Sequence, residues 1–210
     1  MTKINMIVEQ VLADSIACEL GIKTGDKILN INGIEPKDII EYSFLINDEE
    51  INLLVEHQDG SLEEYEIEKD FDDELGIVFT SAVFDKLKRC ANHCVFCFVD
   101  QQPKGLRDSL YVKDDDWRLS YIQGTYVTLT NFKEEDWERI EKYHISPLFV
   151  SIHTTNPDLR VKMTKNPNAG KIIEQLKRFK KIKTALHAQI VPPLLFGGFS
   201  ANKPPVLPGE

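Results

Sequence analysis

Residues 90–97 read Cys90-Ala91-Asn92-His93-Cys94-Val95-Phe96-Cys97, three cysteines spaced C-x3-C-x2-C. Such density on one short stretch points to a metal or cluster site rather than to disulfides, since cysteines this close in sequence are badly placed to bridge one another. Three thiolates on one loop can each reach a different iron of a four-iron cluster, leaving one iron without a protein ligand. A structural zinc site is the competing reading. It needs a fourth donor, from His93 or from a distant histidine. His93 lies between two of the cysteines, which makes joint coordination awkward. His57, His144, His153 and His187 are scattered and read as surface or packed side chains.

Strands and helices alternate after this array. Tyr126–Leu129 is rich in β-branched and aromatic residues and predicts a strand. Lys133–Tyr143 has helical spacing at Trp137 and Ile140, behind Asn131 as a cap. Leu148–Ile152 is a continuous apolar run, as in a buried parallel strand. Gly170–Phe179 predicts a helix with Ile172, Ile173, Leu176 and Phe179 on one face, and Ala185–Val191 a further strand. About four βα units imply the start of a parallel βα barrel. Chemistry in such barrels sits at the C-terminal ends of the strands. That rule places the cysteine loop, Thr130-Asn131 and Ser151–His153 on one face. Asp114-Asp115-Asp116 reads as a solvated turn. Lys104, Arg107 and Lys113 read as basic surface, each able to meet a carboxylate or phosphate.

Residues 1–80 read as a small β module. Ile4–Val11 predicts a strand. Asp14–Gly21 predicts a short helix, capped by Asp14 or Ser15 and ended by Gly21, with Cys18 as a small buried apolar residue. A turn at Gly25-Asp26 feeds a strand that ends in the tight-turn pair Asn32-Gly33. Residues 36–46 predict a second helix, and Ile51–His57 with Leu62–Glu68 a hairpin.

The chain has 210 residues, 42% hydrophobic and 28% charged, enough apolar material for one or two cores. No apolar run approaches the roughly 18 residues of a membrane span, and the N-terminus lacks a secretory pattern, so a cytoplasmic protein is expected. Residues 1–85 carry 5 Lys and Arg against 21 Asp and Glu, a net of −16; residues 86–210 carry 20 against 13, a net of +7. Two domains of opposite sign follow, read either as differing solvated surfaces or as halves that attract. The overall net charge of −9 disfavours free-standing nucleic-acid binding, which rests on phosphate attraction. Residues 192–210 hold five Pro, three Gly and two charges, with no periodicity. They read as an atypical tail, a truncated or frame-altered end to a barrel that would otherwise continue.

The cysteine array with Phe96 resembles the signature of the radical SAM superfamily. The likeness extends through Phe98-Val99-Asp100-Gln101-Gln102-Pro103-Lys104-Gly105-Leu106-Arg107, Ser109-Leu110-Tyr111 and Lys113–Ser120. It continues through Gly124, Tyr126–Asn131 and Ser146–His153. It is similar to a clostridial-type branch in which a PDZ domain precedes the radical SAM domain. The resemblance implies a four-iron four-sulfur cluster on Cys90, Cys94 and Cys97, and S-adenosylmethionine chelating the open iron. It also implies Phe96 near the adenine, an external electron donor and a substrate the likeness leaves undefined. A Gly-Gly-Glu-like motif of many relatives is missing; Thr128, Thr130 and Asn131 stand at the matching place without a carboxylate. Thr130, Asn131 and Ser151 are therefore the further candidates for cofactor contact.

In the first half, Ser15-Ile16-Ala17, Leu20-Gly21-Ile22, Gly25–Leu29 and Ile31-Asn32-Gly33 resemble a bacterial, permuted PDZ domain. There the carboxylate-binding loop can come last, which makes Leu75-Gly76-Ile77 the candidate site for a peptide or protein C-terminus. So acidic a surface disfavours acidic tails. The implied architecture is α/β: a PDZ-like domain (1–80), the first part of a radical SAM barrel (81–191) and the tail (192–210). A non-catalytic PDZ adaptor with structural zinc is the alternative.

Overall fold

The computed structural model describes residues 4–191. Met1–Lys88 and Arg89–Glu210 form two compact units.

The first unit is a five-stranded antiparallel sheet with two short helices. Its strands are β1 (Met6–Val11), β2 (Lys27–Ile31), β3 (Glu50–Glu56), β4 (Leu62–Glu68) and β5 (Ile77–Phe79), ordered β4-β3-β2-β1-β5. In β3 the two-residue period sends Ile51, Leu53 and Val55 into the core. These join Met6, Val8, Ile28, Ile31, Leu75 and Phe84 in one apolar cluster. Asn32 and Gly33 both take positive φ, which the tight turn after β2 requires. Helix α1 (Ile16–Glu19) starts at Ser15, whose hydroxyl accepts from the Cys18 N–H. Helix α2 (Ile39–Leu45) starts at Asp38, whose carboxylate accepts from the Glu41 N–H. Cys18 corrects the expectation of burial. It sits on the outer side of α1 and is exposed, while its neighbour Ala17 fills the core.

The second unit holds helices α3 (Trp117–Gln123), α4 (Glu134–Lys142), α5 (Pro157–Thr164) and α6 (Ile172–Lys181), and strands β6 (Leu148–Ser151) and β7 (Leu186–Gln189). The two strands pair in parallel, Leu148 beside Leu186 through Ser151 beside Gln189. The strand expected at Tyr126–Leu129 reduces to one parallel bridge, Val127 with Val150. The Thr128 N–H donates to the Asp115 carboxylate at 2.6 Å rather than to a neighbouring strand, and Leu129 takes φ 62°. Among the described residues the expected barrel is thus two paired strands and a bridge.

The cap of α4 is also corrected. Asn131 does not serve it; the Asp136 carboxylate reaches back to the Lys133 N–H at 2.9 Å. On α6, Ile172 and Phe179 are buried as expected, but Ile173 turns outward. Helices α3 and α5 were not expected. Asp116 and Asn156 cap them, and Pro157 occupies the first turn of α5. The stretch 192–210, where a truncated end was expected, lies outside the described residues. Among the described residues no helix is long and apolar enough to cross a membrane.

Candidate functional site: the cysteine loop and its cavity

The cysteine loop has little regular structure of its own and is held by neighbours. The Cys90 N–H donates to the Lys113 carbonyl at 2.9 Å. The His93 and Val95 N–H groups donate to the Thr164 and Met163 carbonyls at the end of α5, at 2.9 and 3.0 Å. These bonds turn Cys90, Cys94 and Cys97 into the wall of one cavity of about 450 Å³. Phe96, Thr128, Ser151 and His153 line it as well. Phe96 meets the His153 ring edge-on at 4.6 Å. His153 follows β6 with φ 62° and is 5% exposed. Burial, and then the charge of Arg160, push its imidazole down to about 4, so it is neutral at pH 7.

All three sulfurs are half-buried. Burial pushes the Cys94 thiol up to about 11, with the Cys90 and Cys97 sulfurs adding repulsion. Cys90 is raised too, chiefly by burial. Three neighbouring sulfurs become thiolates together only around a cationic group, whose binding displaces their protons. The donor set therefore fits an iron–sulfur group. Lys113 lines the same cavity and holds Asp100 at 2.7 Å. Among the described residues no three His, Cys, Asp or Glu side chains are grouped as a site for a single ion.

Behind the wall lies a buried polar network. Asp115 is 1% exposed and reaches the cavity. It accepts from the Thr128 N–H and hydroxyl, both at 2.6 Å. Burial raises its carboxyl, against the pull of those bonds. The acidic run 114–116 is therefore not a solvated turn: Asp116 is fully buried and grips Arg118 at 2.7 Å. The fold brings to this wall the carboxylate that the strand end at 128–131 lacks. Thr130 and Asn131 do not line the cavity. The Thr130 hydroxyl donates to Asn92 at 3.0 Å, and the Asn131 amide to the Asp115 carbonyl at 2.8 Å. The Ser151 hydroxyl donates to Gln189 at 2.9 Å. Arg160, fully buried on α5, donates to the carbonyls of Thr128, Ser151, Ile152 and Ala169, each at 2.8 Å. It ties the ends of the 126–129 segment and β6 together.

A family model for a Radical SAM-like domain matches residues 69–195. The chain belongs to this family. A PDZ-domain model matches residues 7–57, so this radical SAM-like chain carries an N-terminal PDZ domain. No curated protein matches it. Two solved structures are similar to the first unit. One is the PDZ domain of the SdrC-like protein of Listeria innocua, 22% identical, covering 37% of this chain and 94% of that one at a TM-score of 0.31. The other is its counterpart from Listeria monocytogenes, also 22% identical, covering 38% and 92% at 0.31.

The second candidate site of this radical SAM-like chain is in the PDZ unit. The Leu75 and Gly76 carbonyls accept from the Ala17 and Leu12 N–H groups, both at 2.9 Å, which fastens the loop to α1 and to the end of β1. Gly76 has φ 76°, and a Cβ there would stand 2.3 Å from that of Ser15. Close packing against the α1 cap therefore requires this glycine. Ile77 opens β5, which lies at the edge of the sheet. Residues 82–84 then fold back onto the start of α2. The Ile39 N–H donates to the Ala82 carbonyl and the Phe84 N–H to the Lys37 carbonyl, both at 2.9 Å, and Phe84 packs on Phe79 at 4.9 Å.

Sequence reasoning missed Asn92, Asp115 and Arg160 as parts of the site; it read His153 as a surface or packed side chain, although strand order already set it on the face of the cysteine loop. Asn92 carries a signal, a polar residue between two of the clustered cysteines. Asp115 and Arg160 carry none, because burial of a charge is not written in local sequence.

Proposed function

We propose that the protein is a radical SAM enzyme in which Cys90, Cys94 and Cys97 hold a four-iron four-sulfur cluster. One iron is left open to the amino and carboxylate groups of S-adenosylmethionine. When bound and reduced, the cluster supplies the electron that breaks the sulfonium C–S bond, giving methionine and a deoxyadenosyl radical that takes a hydrogen atom from substrate. The observation that carries this reading is the common cavity wall of three sulfurs, Phe96 and His153. Phe96 stacks on the adenine, with His153 packed against its ring. Asp115, with Asp114 beside it on the wall, offers carboxylate oxygens to the ammonium group. Ser151 contacts the cofactor directly, and Thr130 and Asn131 act through Asn92 and Asp115. An external donor re-reduces the cluster. The PDZ unit recruits a non-acidic peptide or protein C-terminus at Leu75-Gly76-Ile77, a reading supported by the edge position of β5.

The test is anaerobic reconstitution with iron and sulfide, followed by dithionite and S-adenosylmethionine. The expected result is about four iron and four labile sulfide per chain, lost in Cys90→Ala, Cys94→Ala and Cys97→Ala, and release of deoxyadenosine. Anaerobically purified protein with stoichiometric zinc and no labile sulfide would overturn it in favour of the adaptor.

A further inference from the structure

Asn92 sits between the first two cysteines and is 1% exposed. Its amide meets four partners. The Nδ2 group points at the Cys90 Sγ, 3.3 Å away, and at the Thr128 hydroxyl, 2.8 Å away. The Oδ1 atom accepts from the Asn166 amide at 2.7 Å and from the Thr130 hydroxyl at 3.0 Å. All the hydrogen-bonding capacity of the side chain is used in the interior, where an unmet amide group is costly.

The orientation of that amide is fixed by backbone groups further out. The Asn168 N–H donates to Asn166 Oδ1 at 3.0 Å, so Asn166 must turn its NH2 toward Asn92. Asn92 must answer with its carbonyl oxygen. On the other side, the Thr128 hydroxyl donates to the Asp115 carboxylate at 2.6 Å, so it can only accept from Asn92. Both constraints agree. They leave a single arrangement, with an N–H rather than a C=O facing the Cys90 sulfur.

We propose that Asn92 is a positioning residue that holds the Cys90 sulfur by an N–H···S bond and, through it, sets the reduction potential of the bound cluster. A donor to a ligand sulfur favours the more negative, reduced state, so it raises the potential. Asp115, Thr128, Thr130 and Asn166 serve as the frame that keeps the donor aimed. This inference rests on the iron–sulfur reading above.

The experiment compares the reconstituted full chain with Asn92→Leu, which stays close in size and uncharged while removing the donor. Iron and labile sulfide are counted first, and the midpoint potential is then titrated with reduced-state electron paramagnetic resonance as the signal. A lower midpoint at equal cluster content, with altered g-values, is the expected result; an unchanged midpoint at equal content overturns the inference and leaves the iron–sulfur reading standing. If Asn92→Leu takes up no cluster, Thr130→Val decides. It removes a donor that holds Oδ1 and so loosens the aim of the N–H at sulfur; a smaller fall in midpoint supports the inference and none overturns it. Zinc without labile sulfide in the unaltered chain sinks both. Slow hydrogen exchange of the Asn92 side-chain amide is expected in the cluster-free chain, and rapid exchange of both protons overturns the fixed orientation.

Discussion

The two units are stabilised differently. The first buries an almost wholly apolar set, with Asp26 and Asp38 as its buried charges. The second buries Asn92, Asp115, Asp116, Arg118, Asp136, His153, Arg160 and Asn166 alongside its aromatic residues. An apolar core gains stability roughly in proportion to the area it hides, and tolerates local change. A buried polar frame gains little net stability, but each member has few permitted positions, because a misdirected donor or acceptor goes unmet. The first arrangement suits a module that only has to present a loop and a strand edge. The second suits a cavity wall whose sulfurs and rings must stand in fixed places.

The largest contrast is expected at Arg160. Arg160→Met removes the guanidinium from four carbonyls, of which Ile152 keeps the Thr154 N–H, and should cost the second unit on the order of 3 kcal/mol or more. Denaturant unfolding followed through Trp117 and Trp137, the only tryptophans and both in this unit, should show it. Loss of iron uptake should accompany it, while the first unit is unaffected. An unchanged transition would show that the frame is not what holds the wall. Leu53→Ala is the counterpart in the first unit. Leu53 is fully buried in β3, and the truncation should cost about 2–5 kcal/mol. Iron uptake by the second unit on reconstitution should stay the same, which metal analysis checks.

Ser15→Ala tests the cap that packs on Gly76. Losing the hydroxyl should cost about 1 kcal/mol and loosen the Leu75–Ile77 loop, seen as faster exchange of the Ala17 N–H. The smallest effect is expected at His57. Its ring bridges Asp26 at 3.0 Å and Glu63 at 3.1 Å, and the bond to Asp26 above all raises its pKa. The folded state therefore favours the protonated ring. The resulting stability is complete below the ordinary histidine value of about 6.5 and is lost as pH rises through the raised folded value. Thermal melting of the first unit should decline slightly across that window, and His57→Gln should flatten the slope.

Much of this was legible beforehand, and the reason differs by region. The hairpin β3–β4 follows from alternation and from a turn at Gly60, and α1 and α2 follow from Ser15 and Asp38. All of these are set within a few residues of chain. The cysteine array was legible for the same reason, since three cysteines on one loop need no distant partner to be recognised. Helices α3 and α5 were missed although Asp116 and Asn156 are ordinary caps. Asp116 was hidden in an acidic run, and α5 carries too weak an apolar stripe to show its period.

Local order of residues settled the cysteine trio on one loop, the strand and helix periods of the first unit and the turn glycines, because each depends on neighbours close along the chain. Folding alone settled that Asp115 is a cavity-wall carboxylate and that Thr128 breaks a strand to bind it. It also settled that Arg160 ties the chain ends of the site and that Asn92 aims a hydrogen at sulfur. Those roles join residues up to 74 positions apart, as Asn92 and Asn166 are, and burial, which no local pattern encodes, is what makes each bond obligatory.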